Sequence, residues 1–158
     1  MYKDYKIDKI IGQELKKTLL IKDIKQQDFS KQIGWNPDNT SQKITGKRGW
    51  KAEHIHDMCK VLNISVVFHD EIYFNVLEKE DYPDININAV IGRELHNILV
   101  DCNLTQVRLA ELTGYSANSI NAQIHNKRHL KASQIYEICQ RMKVYCIFDG
   151  KYAMFYKT

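Results

Sequence analysis

The sequence predicts a mainly α protein with a small β component, built as two tandem units of four helices and a β-hairpin each. Three observations lead there. The chain matches itself at one constant offset of eighty residues, each half carries segments with apolar residues at helical spacing, and each half ends in two short β-branched runs around a tight turn.

The self-match is ungapped. Identities fall at Tyr2/Tyr82, Asp4/Asp84, Ile7/Ile87, Ile11/Ile91, Gly12/Gly92, Leu15/Leu95, Gln26/Gln106, Gly34/Gly114, Ile44/Ile124, Lys47/Lys127, Arg48/Arg128, Lys51/Lys131, Cys59/Cys139 and Phe68/Phe148, among others. Two copies of one unit, 1–78 and 82–158, follow from this, each of roughly seventy-five residues and marginal as an independent domain.

In the first copy Ile7, Ile10, Ile11, Leu15 and Leu19 form the apolar stripe of a first helix, matched by Ile87, Val90, Ile91, Leu95, Ile98 and Leu99 in the second. A second helix spans about Gln26 to Ile33, with Phe29 and Ile33 inward; its counterpart begins at the N-cap Thr105 and ends at Gly114. Asn36 and Ser116 cap the third helices, with Pro37 at a favoured first position. Ile120 and Ile124 share the inner face of the later copy, leaving Asn118, Asn121, Ala122 and His125 outward. A fourth helix buries Ala52, Ile55, Met58, Cys59 and Leu62, repeated as Ala132, Ile135, Ile138, Cys139 and Met142.

No fifth helix is expected. Ile64–Phe68 and Ile72–Val76 flank His69-Asp70, while Val144–Phe148 and Tyr152–Tyr156 flank Asp149-Gly150, so each copy closes in a β-hairpin. An isolated hairpin is marginal in water, and each therefore needs another strand, from the sister copy or from a second molecule as a homodimer through the hairpin edges. The linker is short, about Leu77 to Tyr82, with Pro83 beyond it.

With 44% hydrophobic residues the composition is that of a packed globular protein, and no apolar run reaches the ~20 residues of a membrane span. The segment MYKDYKIDKI lacks a signal peptide's apolar stretch, and a cytoplasmic location without membrane contact is expected. Cys59, Cys102, Cys139 and Cys146 read as buried thiols, with no paired CxxC for zinc. His54 and His56 lie about 200° apart on a helix and cannot face one ion together, so no metal and no cofactor is expected. Phosphate loops and hydrolase motifs are missing from the sequence, and no enzymatic activity is expected.

Gln106, Leu109, Ala110, Gly114, Ile120 and Ile124 resemble the motif of the phage lambda repressor and Cro-like (XRE) helix-turn-helix family, and the run SINAQIH is similar to a Cro recognition helix. The resemblance implies two tandem helix-turn-helix domains that bind double-stranded DNA, the third helix of each in the major groove. The first copy departs from the pattern, with Thr40 at the apolar position held by Ile120 and Lys25 at the cap held by Thr105.

Net charge is only +4, so the electrostatic case is local. From Ser116 to Lys131 the fixed charges are Lys127, Arg128 and Lys131 with no acid; between Asn36 and Lys51 they are Lys43, Lys47, Arg48 and Lys51 against Asp38 alone. In the second copy Asn118 and Asn121 suit adenine edges, and Thr105, Gln106, Ser116 and Gln123 complete the candidate DNA-contacting set; Gln106 at a phosphate or base is what the resemblance implies. In the first copy the matching residues are Gln26, Ser41, Gln42, Lys43, Lys47, Arg48 and Lys51. Asp38 either accepts from cytosine or favours the helix N-terminus electrostatically. Two copies in one chain point to a repressor-like regulator, a covalent pseudo-dimer on an imperfect palindrome. The competing expectation is a protein-binding inhibitor or adaptor on the same scaffold.

Overall fold

The computed structural model describes residues 4–158, and Tyr2 of the Tyr2/Tyr82 match lies outside them. The chain is mainly helical with one small antiparallel sheet. Among the described residues the order is α1 (Asp4–Ile21), α2 (Gln26–Ile33), α3 (Pro37–Thr45), α4 (Ala52–Leu62), β1 (Ile64–Phe68) and β2 (Ile72–Val76). It then repeats as α5 (Ile87–Asp101), α6 (Gln106–Thr113), α7 (Ala117–Ile124), α8 (Ala132–Met142), β3 (Val144–Phe148) and β4 (Ala153–Lys157). Left-handed backbone repeats with it, at Asp23/Asn103, Gly34/Gly114, Gly46/Asn126 and Asn63/Lys143. The glycines at 34 and 114 end α2 and α6 by donating their N–H groups to Ser30 O and Ala110 O.

Helix limits follow local chemistry. Asn36, Thr105 and Ser116 accept from the N–H groups of Asn39, Arg108 and Ser119, whereas Lys25 makes no side-chain cap on α2. Thr40, at the position of Ile120, is fully buried without being an orphan. Ser30 Oγ donates to Thr40 Oγ1 at 2.6 Å, and Thr40 Oγ1 donates to Asn36 O at 3.3 Å. The second copy pairs Ala110 with Ile120 there, so the two positions change from polar to apolar together.

The hairpins join within the chain. The sheet order is β2-β1-β3-β4, and the central register is Val66↔Phe148, Val67↔Ile147 and Phe68↔Cys146. Since Val67 and Ile147 occupy equivalent places eighty residues apart, the pairing is symmetric about them, and a local two-fold axis passes between β1 and β3. Paired residues project to one side of an antiparallel sheet, so this axis runs perpendicular to it. Ile64, Val66, Phe68, Val144, Cys146 and Phe148 form the buried inner side, with Phe68 and Phe148 in edge contact at 5.9 Å. Val67, Tyr73, Tyr145, Ile147, Met154 and Tyr156 share the other side, where Tyr145 and Tyr156 stack at 5.1 Å.

Helices cross between the copies as well. α1 packs on α8 and α4 on α5, and His56 Nδ1 and the Tyr136 hydroxyl donate to Asp149 O and Asp70 O in the opposite hairpin turns. Two local expectations shift. β4 starts at Ala153 because Asp149 Oδ1 accepts from the N–H groups of Lys151 and Tyr152, drawing Tyr152 into the turn. The linker runs on to Asn86, which caps α5, and is held by Tyr82 donating to Asn63 Oδ1 at 3.0 Å and by the Lys151–Glu80 pair at 2.6 Å. No helix of the described residues is long and apolar enough to cross a membrane.

Candidate nucleic-acid interface

The loops after α3 and α7 meet on the two-fold axis. Lys51 and Lys131 form an isolated antiparallel bridge, with Ala52 N–H donating to Leu130 O and Ala132 N–H to Trp50 O, both at 2.9 Å. Exposed Lys47, Arg48 and Lys51 thereby join exposed Lys127, Arg128 and Lys131 in one cationic strip. A cleft of about 590 Å³ lies on each flank of the bridge, and Lys51 and Lys131 line both. Because α4 and α8 lead from the bridge to the sheet, the strip and the sheet lie at opposite ends of these two helices.

On α7, Asn118 and Asn121 are exposed, as is the C-cap His125. Asn121 Nδ2 donates to Gln106 Oε1 at 3.1 Å, so the first residue of α6 holds the amide presented by α7. One Nδ2 hydrogen and Oδ1 of Asn121, and the Gln106 Nε2 group, make no hydrogen bond among the described residues. Arg128 Nη1 donates to Ser119 Oγ at 2.5 Å, tying the basic loop back to the helix. On α3 the equivalent fixing is different: Arg48 Nε donates to Gln42 Oε1 at 2.6 Å, while Ser41 and Gln26 are exposed. Asp38 is exposed and makes no hydrogen bond or ion pair among the described residues; Asn36 does the capping.

Two expected contacts are corrected. Lys43 and Gln123, at equivalent places, are only 3% and 4% exposed and face inward. Lys43 Nζ donates to Gly49 O at 2.5 Å and to His54 Nδ1 at 3.0 Å, and sits 5.5 and 5.3 Å from the ring centres of Trp35 and Trp50. Gln123 Nε2 donates to His129 O at 3.4 Å and Gln134 Oε1 at 3.0 Å. Both side chains close the loop against the next helix. Thr105 Oγ1 and Ser116 Oγ accept from the N–H groups of Arg108 and Ser119 at 3.0 Å, which leaves each hydroxyl hydrogen as the outward function.

Burial pulls the Lys43 ammonium down to about 8, partly opposed by the Asp8 carboxylate. Burial, reinforced by the Lys43 charge, pulls His54 down to about 4, which suits its neutral Nδ1 accepting from Lys43 Nζ and from Lys51 N–H at 3.0 Å. His54 and His56 are thus engaged in different places, the first at the loop and the second at the sister hairpin. Cys59, Cys139 and Cys146 are buried free thiols, and Cys102 is only half-buried.

Sequence reasoning missed the glycines that seat α3 and α7. A Cβ on Gly92 would lie 2.5 Å from Gln123 O, and one on Gly12 would run into Ile44 O, so α1 and α5 approach α3 and α7 backbone to backbone. The signal was present as the Gly12/Gly92 identity. It also missed the cross-copy contact of His129 Nδ1 with Glu53 Oε1 at 2.9 Å. No protein family, characterised protein or solved structure matches the chain.

Proposed function

We propose that the chain is a sequence-specific regulator of the lambda repressor and Cro-like type, in which two tandem helix-turn-helix domains act as a covalent pseudo-dimer on double-stranded DNA. The observation that carries this reading is the Lys51–Lys131 bridge, which joins two basic loops on the axis relating α3 to α7. A two-fold pair of reading helices suits half-sites one helical turn, about 34 Å, apart, and the cationic strip between them suits the intervening phosphates.

In this reading Asn121 serves adenine: Oδ1 accepts from N6–H, the second Nδ2 hydrogen donates to N7, and the first stays on Gln106. Gln106 Nε2 then donates to a phosphate. Arg128, oriented by Ser119, keeps further N–H groups for the backbone, and Lys47, Lys51, Lys127 and Lys131 add charge. The protein acts in the cytoplasm as a binder with no catalytic step.

A second reading, an inhibitor or adaptor that binds protein, draws on Asp38 and on exposed Tyr73, Met154 and Tyr156 on the outer side of the sheet. Both are tested by one comparison. Asn118→Ala with Asn121→Ala should flatten preference among sequences by ~1 to 3 kcal/mol per bidentate contact. Lys127→Ala with Lys131→Ala should weaken binding to every duplex and lower its salt dependence. Wild-type affinity in both double variants rejects DNA reading.

A further inference from the structure

Resting on the DNA-binding reading, we infer that the chain recognises two unlike half-sites, an adenine-bearing one under α7 and a cytosine-bearing one under α3, and so docks on its operator in a single orientation. A homodimer presents the same face twice. This chain does not, although its backbone is symmetric about Lys51/Lys131 and Val67/Ile147. At equivalent places α7 and its C-cap carry Asn118, Asn121 and His125 where α3 carries Asp38, Ser41 and Thr45, all six exposed.

The chemistry of the two rows is not interchangeable. Asn118 and Asn121 each offer both a donor and an acceptor, the pattern that adenine's N7 and N6 edge requires. An ionised Asp38 only accepts. Placed against a phosphate or against the N7 and O6 of guanine it would be repelled, whereas the N4–H₂ of cytosine is a donor that matches it. Asp38 is neither the cap of α3 nor paired with any of the described residues; it lies in the first turn, where its charge suits the helix N-terminus and its oxygens stay available to a donor. Ser41 is too short to reach back to Gln26 as Asn121 reaches Gln106, and the α3 side loses the stiffened amide altogether. The arginines diverge too: Arg128 is drawn to Ser119 in the first half of α7, Arg48 to Gln42 further along α3.

Selection from a random duplex library with the full chain, followed by affinity measurements on the selected site and on its two derived palindromes, tests this. The expected site has unlike halves and is bound more tightly than either palindrome, on the order of tenfold or more, the loss from one mismatched bidentate contact. Asp38→Asn with Ser41→Asn should shift preference to the adenine-bearing palindrome, and Asn118→Asp with Asn121→Ser to the cytosine-bearing one; thermal melting verifies that each variant folds. A palindromic selected site, or unchanged preference in whichever variant folds, overturns the orientation inference while DNA reading stands. Failure to enrich any sequence overturns the DNA-binding reading itself, and this inference with it.

Discussion

Lys51 and Lys131 pair backbone to backbone on the axis that also passes between Val67 and Ile147, so one line threads the cationic loops, the core and the centre of the sheet. The bridge is made by the main chain of Trp50, Ala52, Leu130 and Ala132. The lysine side chains can therefore be removed without removing the contact that joins the copies. Lys51→Ala with Lys131→Ala should leave the melting temperature within a few degrees of wild type. If each lysine neutralises one phosphate, the slope of log K against log salt should fall by about 2 in magnitude. Binding titrations at several salt concentrations check this, and an unchanged slope would place the phosphates elsewhere.

Ser30 and Thr40 are a buried polar pair that the second copy replaces with Ala110 and Ile120. Thr40→Ile alone pushes a methyl group toward a hydroxyl 2.6 Å away, costing ~1 to 3 kcal/mol by overpacking. Ser30→Ala alone strands part of the Thr40 hydroxyl's bonding, at about 1 kcal/mol. The double variant rebuilds the arrangement already used in the other copy and should recover most of both losses. Denaturant melts of the four proteins give the coupling; simple additivity would contradict it.

Most helix limits were legible because their determinants are local. Gly34 and Gly114 stop α2 and α6, Asn36, Thr105 and Ser116 start the helices that follow them, and β-branched runs mark β1 through β3. Strand pairing was not decided, since the unpaired edges of Ile64–Phe68 and Val144–Phe148 suit a sister copy and a second molecule equally well. Lys43 and Gln123 were read as surface groups because a cation and an amide at the end of a helix usually are. Their burial depends on Gly49 O, Trp35, Trp50 and Gln134, which only the folded chain brings to them. Tyr152 sits in the turn that Asp149 Oδ1 closes rather than in β4, and there its hydroxyl donates to Glu94 and accepts from Arg93, both far away in the sequence.

Gly92 and Gly34 should respond differently to the same substitution. At Gly34 a Cβ meets nothing within 4 Å, and Gly34→Ala carries only the strain of a left-handed backbone at φ +80°, roughly 1 kcal/mol. At Gly92 a Cβ meets Gln123 O at 2.5 Å and Ile124 O at 2.9 Å, carbonyls at the end of α7 that cannot rotate aside. Gly92→Ala should cost more, upward of ~2 kcal/mol, and should also displace α7, which under the proposed function weakens DNA affinity. Equal losses in the two variants would mean that α5 and α7 yield easily.

Lys43 and His54 should impose a pH dependence on stability that Lys43→Gln removes in part. For His54, unfolded near 6.5 and held at about 4 in the fold, the unfolded chain binds the extra proton between those values, so its share of stability is complete above 6.5 and drains away as pH falls toward 4. For Lys43, 10.5 when unfolded and about 8 in the fold, the unfolded chain again holds the extra proton, and stability rises as pH climbs from 8 to 10.5. Below pH 8 the folded protein carries the whole cost of the buried cation. Gln123 shows that a neutral amide closes the equivalent loop, so Lys43→Gln should fold and should be no less stable than wild type at pH 7. Its stability should be flatter than wild type between pH 8 and 10.5. Removal of the Lys43 charge should also let His54 rise, narrowing the acid window from below. Parallel melts of the two proteins from pH 4 to 10.5 read both effects as a difference, in which all other titrating groups cancel; identical curves would show that the Lys43 ammonium is solvated rather than enclosed by Trp35 and Trp50.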